Sequence, residues 1–233
     1  MRIAHVLPVP ISNQREQSLR NLFDSIVHDD TIVDIISYPD GPSDLEYHTD
    51  DIKAIQLMLN DVERLKNYDA LSIACFYDPG IRELKEALEI PVIGIAQASY
   101  MIAQIYGYTY SVIVGRQKHI PKMRDNTILY GLNHKVISWK NLNMSVDELK
   151  RYPEKSKSIT DELVKEAIER DGAEVIILGC GALSGLEDDL QKKYNVPVIN
   201  PVIAGITCAE LLASLKVKAN LTTSKLYDFE CKS

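Results

Sequence analysis

Positive charge is in short supply. The 233 residues hold 26 Lys and Arg against 33 Asp and Glu, for a formal net charge of −7 and an isoelectric point near 5.3. Nucleic-acid binding needs a basic surface, so nucleic acid is not an expected partner. Long apolar runs are missing as well. None reaches the roughly 18 residues of a membrane span, so no membrane contact is expected. Met1 leads directly into the apolar run Ile3–Val9. No basic segment followed by a longer apolar one precedes it, as a secretory signal would require, and a cytoplasmic location is expected. The 4 cysteines, Cys75, Cys180, Cys208 and Cys231, are too few for a disulfide scaffold and are expected to stay reduced. The Cys and His spacings of zinc sites are absent, as is a P-loop, so no metal is expected. No low-complexity segment or Pro-, Gly- or Ser-rich linker interrupts the chain.

What is present is a β-α alternation. The pattern predicts strands at Arg2–Leu7, Thr31–Tyr38, Ala70–Phe76 and Pro91–Ala96, then at Tyr110–Val114, Lys135–Trp139, Glu174–Gly179 and Pro197–Asn200. Runs such as Leu71-Ser72-Ile73-Ala74 and Val175-Ile176-Ile177-Leu178 are nearly apolar on both faces, as strands of parallel sheets covered by helices are. Helix punctuation agrees. Ile52, Ile55, Leu59 and Val62 form a stripe after Thr49. Asp78-Pro79 reads as an N-cap followed by proline. Ser184-Gly185-Leu186-Glu187 reads as a capping box. Pro121 and Gly131 bracket a short helix. The class is α/β.

The two sets of four strands repeat one order. The repeat predicts two pseudo-symmetric parallel-sheet α/β lobes. One covers residues 1–98 plus 203–233, with a returning C-terminal helix, and the other covers residues 99–202. The polar tail from Asn220 reads as a fraying end. One cysteine closes a strand in each half. Cys75 lies 16 positions before Pro91, and Cys180 lies 17 before Pro197.

Ligands of open parallel sheets bind beyond the carboxyl ends of the strands. Both thiols are expected there, each just before a helix start whose free N–H groups favour thiolate. One thiolate removes a proton from a carbon acid, and the other thiol returns one from the opposite face. The backbone N–H groups of Phe76, Tyr77, Gly181 and Ala182 are the candidate donors to the charge that develops on an adjacent carbonyl. No organic cofactor is needed. A lone cysteine at a strand end is more often a small core residue, but the matched pair favours function. Cys208 reads as core and Cys231 as a surface thiol. His5 reads as a core histidine and His119 as a surface one. Asp78 and Ser184 read as caps.

The stretches Ile73-Ala74-Cys75-Phe76-Tyr77-Asp78-Pro79-Gly80 and Leu178-Gly179-Cys180-Gly181-Ala182-Leu183 resemble the two cysteine motifs of the aspartate/glutamate/hydantoin racemase superfamily. Phe76 with Asp78-Pro79-Gly80, and Pro197-Val198-Ile199-Asn200-Pro201-Val202, resemble its hydantoin and allantoin branch most. The resemblance implies a cofactor-independent racemase with its active site in the cleft between the lobes. It assigns Cys75 and Cys180 as acid and base, a small hydantoin-like or allantoin-like substrate, and a homo-oligomer. The chain departs from the branch at Leu7-Pro8-Val9, where Asn-Pro-Asn is usual, so Ser12 and Asn13 become the nearest polar anchors. It departs at Gly115-Arg116, where threonines are usual, which makes Arg116 a candidate anion contact. It departs again at Leu183, where methionine is usual. An aspartate- or glutamate-type racemase needs polar anchors that Leu7-Pro8-Val9 does not supply, and a decarboxylase of this fold needs a single cysteine. A catalytically silent binding protein of the same fold is a third reading.

Overall fold

The computed structural model describes residues 1–231. It contains strands β1 (Arg2–Leu7), β2 (Ile32–Ser37), β3 (Ala70–Ile73), β4 (Val92–Gly94), β5 (Tyr110–Val114), β6 (Val136–Asn141), β7 (Val175–Leu178) and β8 (Val198–Ile199). The helices are α1 (Asn13–Ile26), α2 (His48–Asn60), α3 (Val62–Leu65), α4 (Ile81–Ala87) and α5 (Ile95–Tyr106). They continue with α6 (Ile120–Leu129), α7 (Val146–Arg151), α8 (Pro153–Glu169), α9 (Glu187–Tyr194) and α10 (Pro201–Ala219). All eight expected strands form, and β1 and β5 have the expected bounds. One expectation fails at β4. Ile95 and Ala96 open α5 instead of extending the strand.

Two compact units divide the chain. One comprises Met1–Ile95 and the chain from Gly205, and the other is Ala96–Ala204. Each holds one four-stranded sheet, in the orders β2-β1-β3-β4 and β6-β5-β7-β8. Every pairing is parallel. The inner strands explain the sequence pattern. All four residues of β3 are buried, as are all four of β7, because both faces of an inner parallel strand are covered. The edge strands β2 and β6 are mostly part-exposed.

In the first unit, Leu71, Ile73, Leu84 and Met58 are fully buried, each contributing about 1.5–3 kcal/mol by leaving water. Gly205 of α10 lies against this sheet, where a Cβ would come within 2.9 Å of the Ser72 hydroxyl and 2.5 Å of Ile95. In the second unit, Ile113, Ile176, Leu178 and Val164 center a core that includes Leu142, Leu149 and Leu190.

The tail is held rather than frayed. The Lys225 ammonium donates to the carbonyls of Lys85, Glu86 and Leu88 at 2.6, 2.9 and 2.7 Å. These carbonyls close α4, where a helix leaves its acceptors open and favours a cation. Thr223 adds bonds to the Glu89 and Ile90 carbonyls, and Arg82 pairs with Asp228. Among the described residues, no helix is long and apolar enough to cross a membrane.

Candidate active site

In the first unit the β1–β3 ladder extends one residue past β3, through Ala74 N–H donating to the Val6 carbonyl at 2.8 Å. The next residue is Cys75, half-buried. Its carbonyl accepts from Asp78 N–H at 2.9 Å, closing a turn, and the Tyr77 N–H points at its Sγ from 3.5 Å. Phe76 and Tyr77 are buried. The helix expected to follow directly does not. Asp78 has φ +47° and Gly80 φ +71°, left-handed values that delay α4 until Ile81 and leave Gly80 at its N-cap. Asp78 is therefore no helix cap for α4. It is 4% exposed, and its carboxyl fills the space that a Cβ on Gly94 would need.

In the second unit the ladder extends in the same way, through Gly179 N–H donating to the Ile113 carbonyl at 2.7 Å. A Cβ on Gly179 would meet that carbonyl and the side chains of Val112 and Val114, all at 2.9 Å. Close backbone approach thus requires glycine here. Cys180 follows, half-buried, in extended backbone before the 3-10 turn Gly181–Leu183. Gly181 and Ala182 are half-buried and Leu183 is buried. Ser184 does not cap α9. Its hydroxyl donates to Asn200 Oδ1 at 3.3 Å, and Leu186 occupies the N-cap position. Glu187 accepts from Gly185 N–H at 2.7 Å and from Asn200 Nδ2 at 2.8 Å. Asn200 Oδ1 in turn accepts from Val202 N–H and Ile203 N–H at 2.9 and 3.3 Å, which caps α10.

The remaining candidates also sit beyond strand ends. Ser12 caps α1, accepting from Arg15 N–H at 3.3 Å. Asn13 is the first residue of α1, and both are exposed. Arg116 follows β5, the neighbour of β7. Its N–H donates to His119 Nδ1 at 3.3 Å. That bond makes Nδ1 an acceptor, so a neutral His119 carries its proton on Nε2. His119 is 5% exposed, not a surface residue. Gly115 has no room for a side chain, since a Cβ would lie 2.8 Å from the Met144 carbonyl. His5 is a core residue, fully buried against Phe23 and Ser72. Cys208 on α10 is half-buried, with burial pushing its thiol pKa up. Among the described residues, no group of three or more His, Cys, Asp or Glu side chains is arranged to hold a metal.

Sequence reasoning missed the Gly94, Glu187 and Ser184 contacts. One signal was available for the first, because a glycine ending a strand often marks close approach by another group.

The sequence profile of the family described as Asp/Glu/Hydantoin racemase matches residues 15–209. A hydantoin racemase of Pseudomonas sp. (strain NS671) is 31% identical over 208 residues, 88% of this chain and 82% of that protein. The solved allantoin racemase from Klebsiella pneumoniae superposes with a TM-score of 0.89 at 25% identity, over 100% of this chain and 94% of that one. The allantoin racemase from Pseudomonas fluorescens gives a TM-score of 0.89 at 26% identity, over 100% and 97%.

Proposed function

The chain belongs to the Asp/Glu/hydantoin racemase family, a family of isomerases, and from that membership we propose a two-thiol racemase of hydantoin-like or allantoin-like rings. One cysteine, as thiolate, removes the proton on the carbon next to a ring carbonyl. The electron pair passes into that carbonyl as an enolate. The thiol of the other cysteine delivers a proton to the opposite face, which inverts the center. Backbone N–H groups of the two turns, at Gly181 and Ala182 and at Phe76, are the proposed donors to substrate oxygens. Each proton transfer of this kind contributes on the order of 10²–10⁴-fold. Ser12, Asn13 and Arg116 are the proposed outer contacts, and we propose that the enzyme works as a homo-oligomer in the cytoplasm.

One observation carries this reading. Two sheets of identical strand order each extend their ladder by one residue past the third strand of the repeat, at Ala74 and at Gly179, and each then presents a half-buried cysteine. A packing role for either thiol gives no reason for the match.

The test is solvent deuterium exchange on single enantiomers of 5-substituted hydantoins, allantoin, aspartate and glutamate. Wild type should exchange and racemise the hydantoins or allantoin. Cys75→Ser and Cys180→Ser should each stop racemisation, while each keeps exchange of one enantiomer, because a surviving thiolate returns deuterium to the face it deprotonated. Racemisation by either serine variant at the wild-type rate would end the two-thiol reading.

A further inference from the structure

The turn that carries Cys75 rests on an unusual residue. Asp78 is 4% exposed, and its backbone takes φ +47°, a region that costs most side chains on the order of 1 kcal/mol and that Asp and Asn tolerate best. Its N–H closes the turn on the Cys75 carbonyl at 2.9 Å. Its carboxyl occupies the place of a side chain at Gly94, immediately before α5. A helix N-terminus stabilises a carboxylate, and α5 runs for 12 residues. Lys85, whose ammonium form is disfavoured by burial, is drawn back toward it by the same carboxylate. The residue is therefore tied to the thiol through its backbone and to the sheet through its side chain.

The second unit solves the same problem with different parts. There Glu187, from the segment that follows Cys180, reaches Asn200, which follows β8 and caps α10. In both units a carboxyl from the segment after the cysteine meets the end of the last strand, at Gly94 in β4 and at Asn200 just past β8.

We infer that Asp78 is the positioning residue of Cys75, its carboxylate wedged over Gly94 to fix the turn that presents the thiol. This rests on the two-thiol reading above. In this role Asp78 acts through the backbone of residues 75–78, whose turn its N–H closes on the Cys75 carbonyl. Misplacing a catalytic group by about 1 Å costs up to roughly 10²-fold in rate, so loosening the turn should be visible in one proton transfer and not in the other.

The experiment follows exchange of each enantiomer in wild type, Cys75→Ser, Asp78→Asn, Asp78→Gly and Gly94→Ala, with thermal melts alongside. Asp78→Gly keeps the left-handed backbone and removes the carboxylate. Asp78→Asn keeps the backbone tolerance and an acceptor. Asp78→Gly should slow exchange of the enantiomer that Cys75→Ser abolishes by about tenfold or more, leave the other within about twofold, and melt cooperatively. Asp78→Asn should recover most of the loss. Gly94→Ala, if folded, should resemble Asp78→Gly. Wild-type exchange in Asp78→Gly, or an equal fall for both enantiomers, would overturn the inference. A second readout does not depend on turnover: the alkylation rate of Cys75, mapped by peptide mass spectrometry with Cys208 as reference. It should change severalfold in Asp78→Gly, and an unchanged rate would count against the inference. If Cys75→Ser exchanges both enantiomers normally, the two-thiol reading fails, and the alkylation result still decides whether Asp78 positions the thiol.

Discussion

The Nδ1 of His5 lies 3.2 Å from the hydroxyl of Ser72, its registered partner across the β1–β3 ladder. The ring is fully buried, and desolvation, with Arg15 adding to it, pushes its pKa down from 6.5 to about 3. Below 6.5 the unfolded chain takes up a proton that the folded chain refuses. The stability His5 contributes is thus complete above 6.5 and drains away as pH falls toward 3, at about 1.4 kcal/mol per pH unit. Denaturant melts between pH 7.5 and 4.5 should show this slope. His5→Gln should flatten it, and an unchanged slope in the variant would show that the histidine is not its source.

Asn200→Asp replaces an amide donor with a carboxylate 2.8 Å from Glu187. The change keeps the cap of α10 but sets two negative groups together, and it should cost about 1–3 kcal/mol at neutral pH. Adding Glu187→Gln restores a donor and should recover most of the loss. A double-mutant cycle in urea measures the coupling. Full stability of Asn200→Asp beside an intact Glu187 would contradict the geometry.

Lys225→Met removes three bonds to the carbonyls that end α4. The loss should be about 2 kcal/mol, as charged hydrogen bonds of which two are part-buried warrant. Amide hydrogen exchange should quicken in residues 81–90 and stay unchanged in α8. Uniform protection in both segments would mean that the tail holds nothing.

Cys208 is half-buried, and its thiol pKa is raised by burial, whereas Cys231 is exposed. Iodoacetamide at pH 7.5 should label Cys231 well before Cys208. Because the folded value lies above the unfolded one, the thiol supports the fold up to an unfolded pKa of about 8.5 and loses that effect at higher pH. Cys208→Ala should therefore weaken the alkaline fall in stability. Equal labelling of the two thiols would refute the assignment.

Strands were easier to read than their ends. Residues 70–73 and 175–178 are apolar enough to be buried on both faces, and that pattern survives in sequence alone. Ile95 and Ala96 were misread as strand, because a β-branched residue after Val92-Ile93-Gly94 looks like more strand when the turn to helix occurs without a loop. Asp78 and Ser184 looked like caps because both residue types usually are. Their partners, Gly94 and Asn200, lie 16 positions away in each case, beyond any local motif. Lys225 reaches carbonyls 137 to 140 residues back, and nothing in the tail's composition announces it. The matched places of Cys75 and Cys180, each just past the end of its ladder, are legible because they repeat.

The two carboxylate ties bear on how this chain can vary. Gly94 has no room for a side chain while Asp78 keeps its carboxyl, and an acid at Asn200 would face the Glu187 carboxyl instead of donating to it. Each position is constrained by its partner rather than by its own surroundings. Substitutions should be inherited in couples, Asp78 with Gly94 and Glu187 with Asn200. Each couple lies within one unit, so exchanging whole units keeps both. A chimera whose junction falls between Asp78 and Gly94 or between Glu187 and Asn200 should lose stability even when every strand and both thiols are retained.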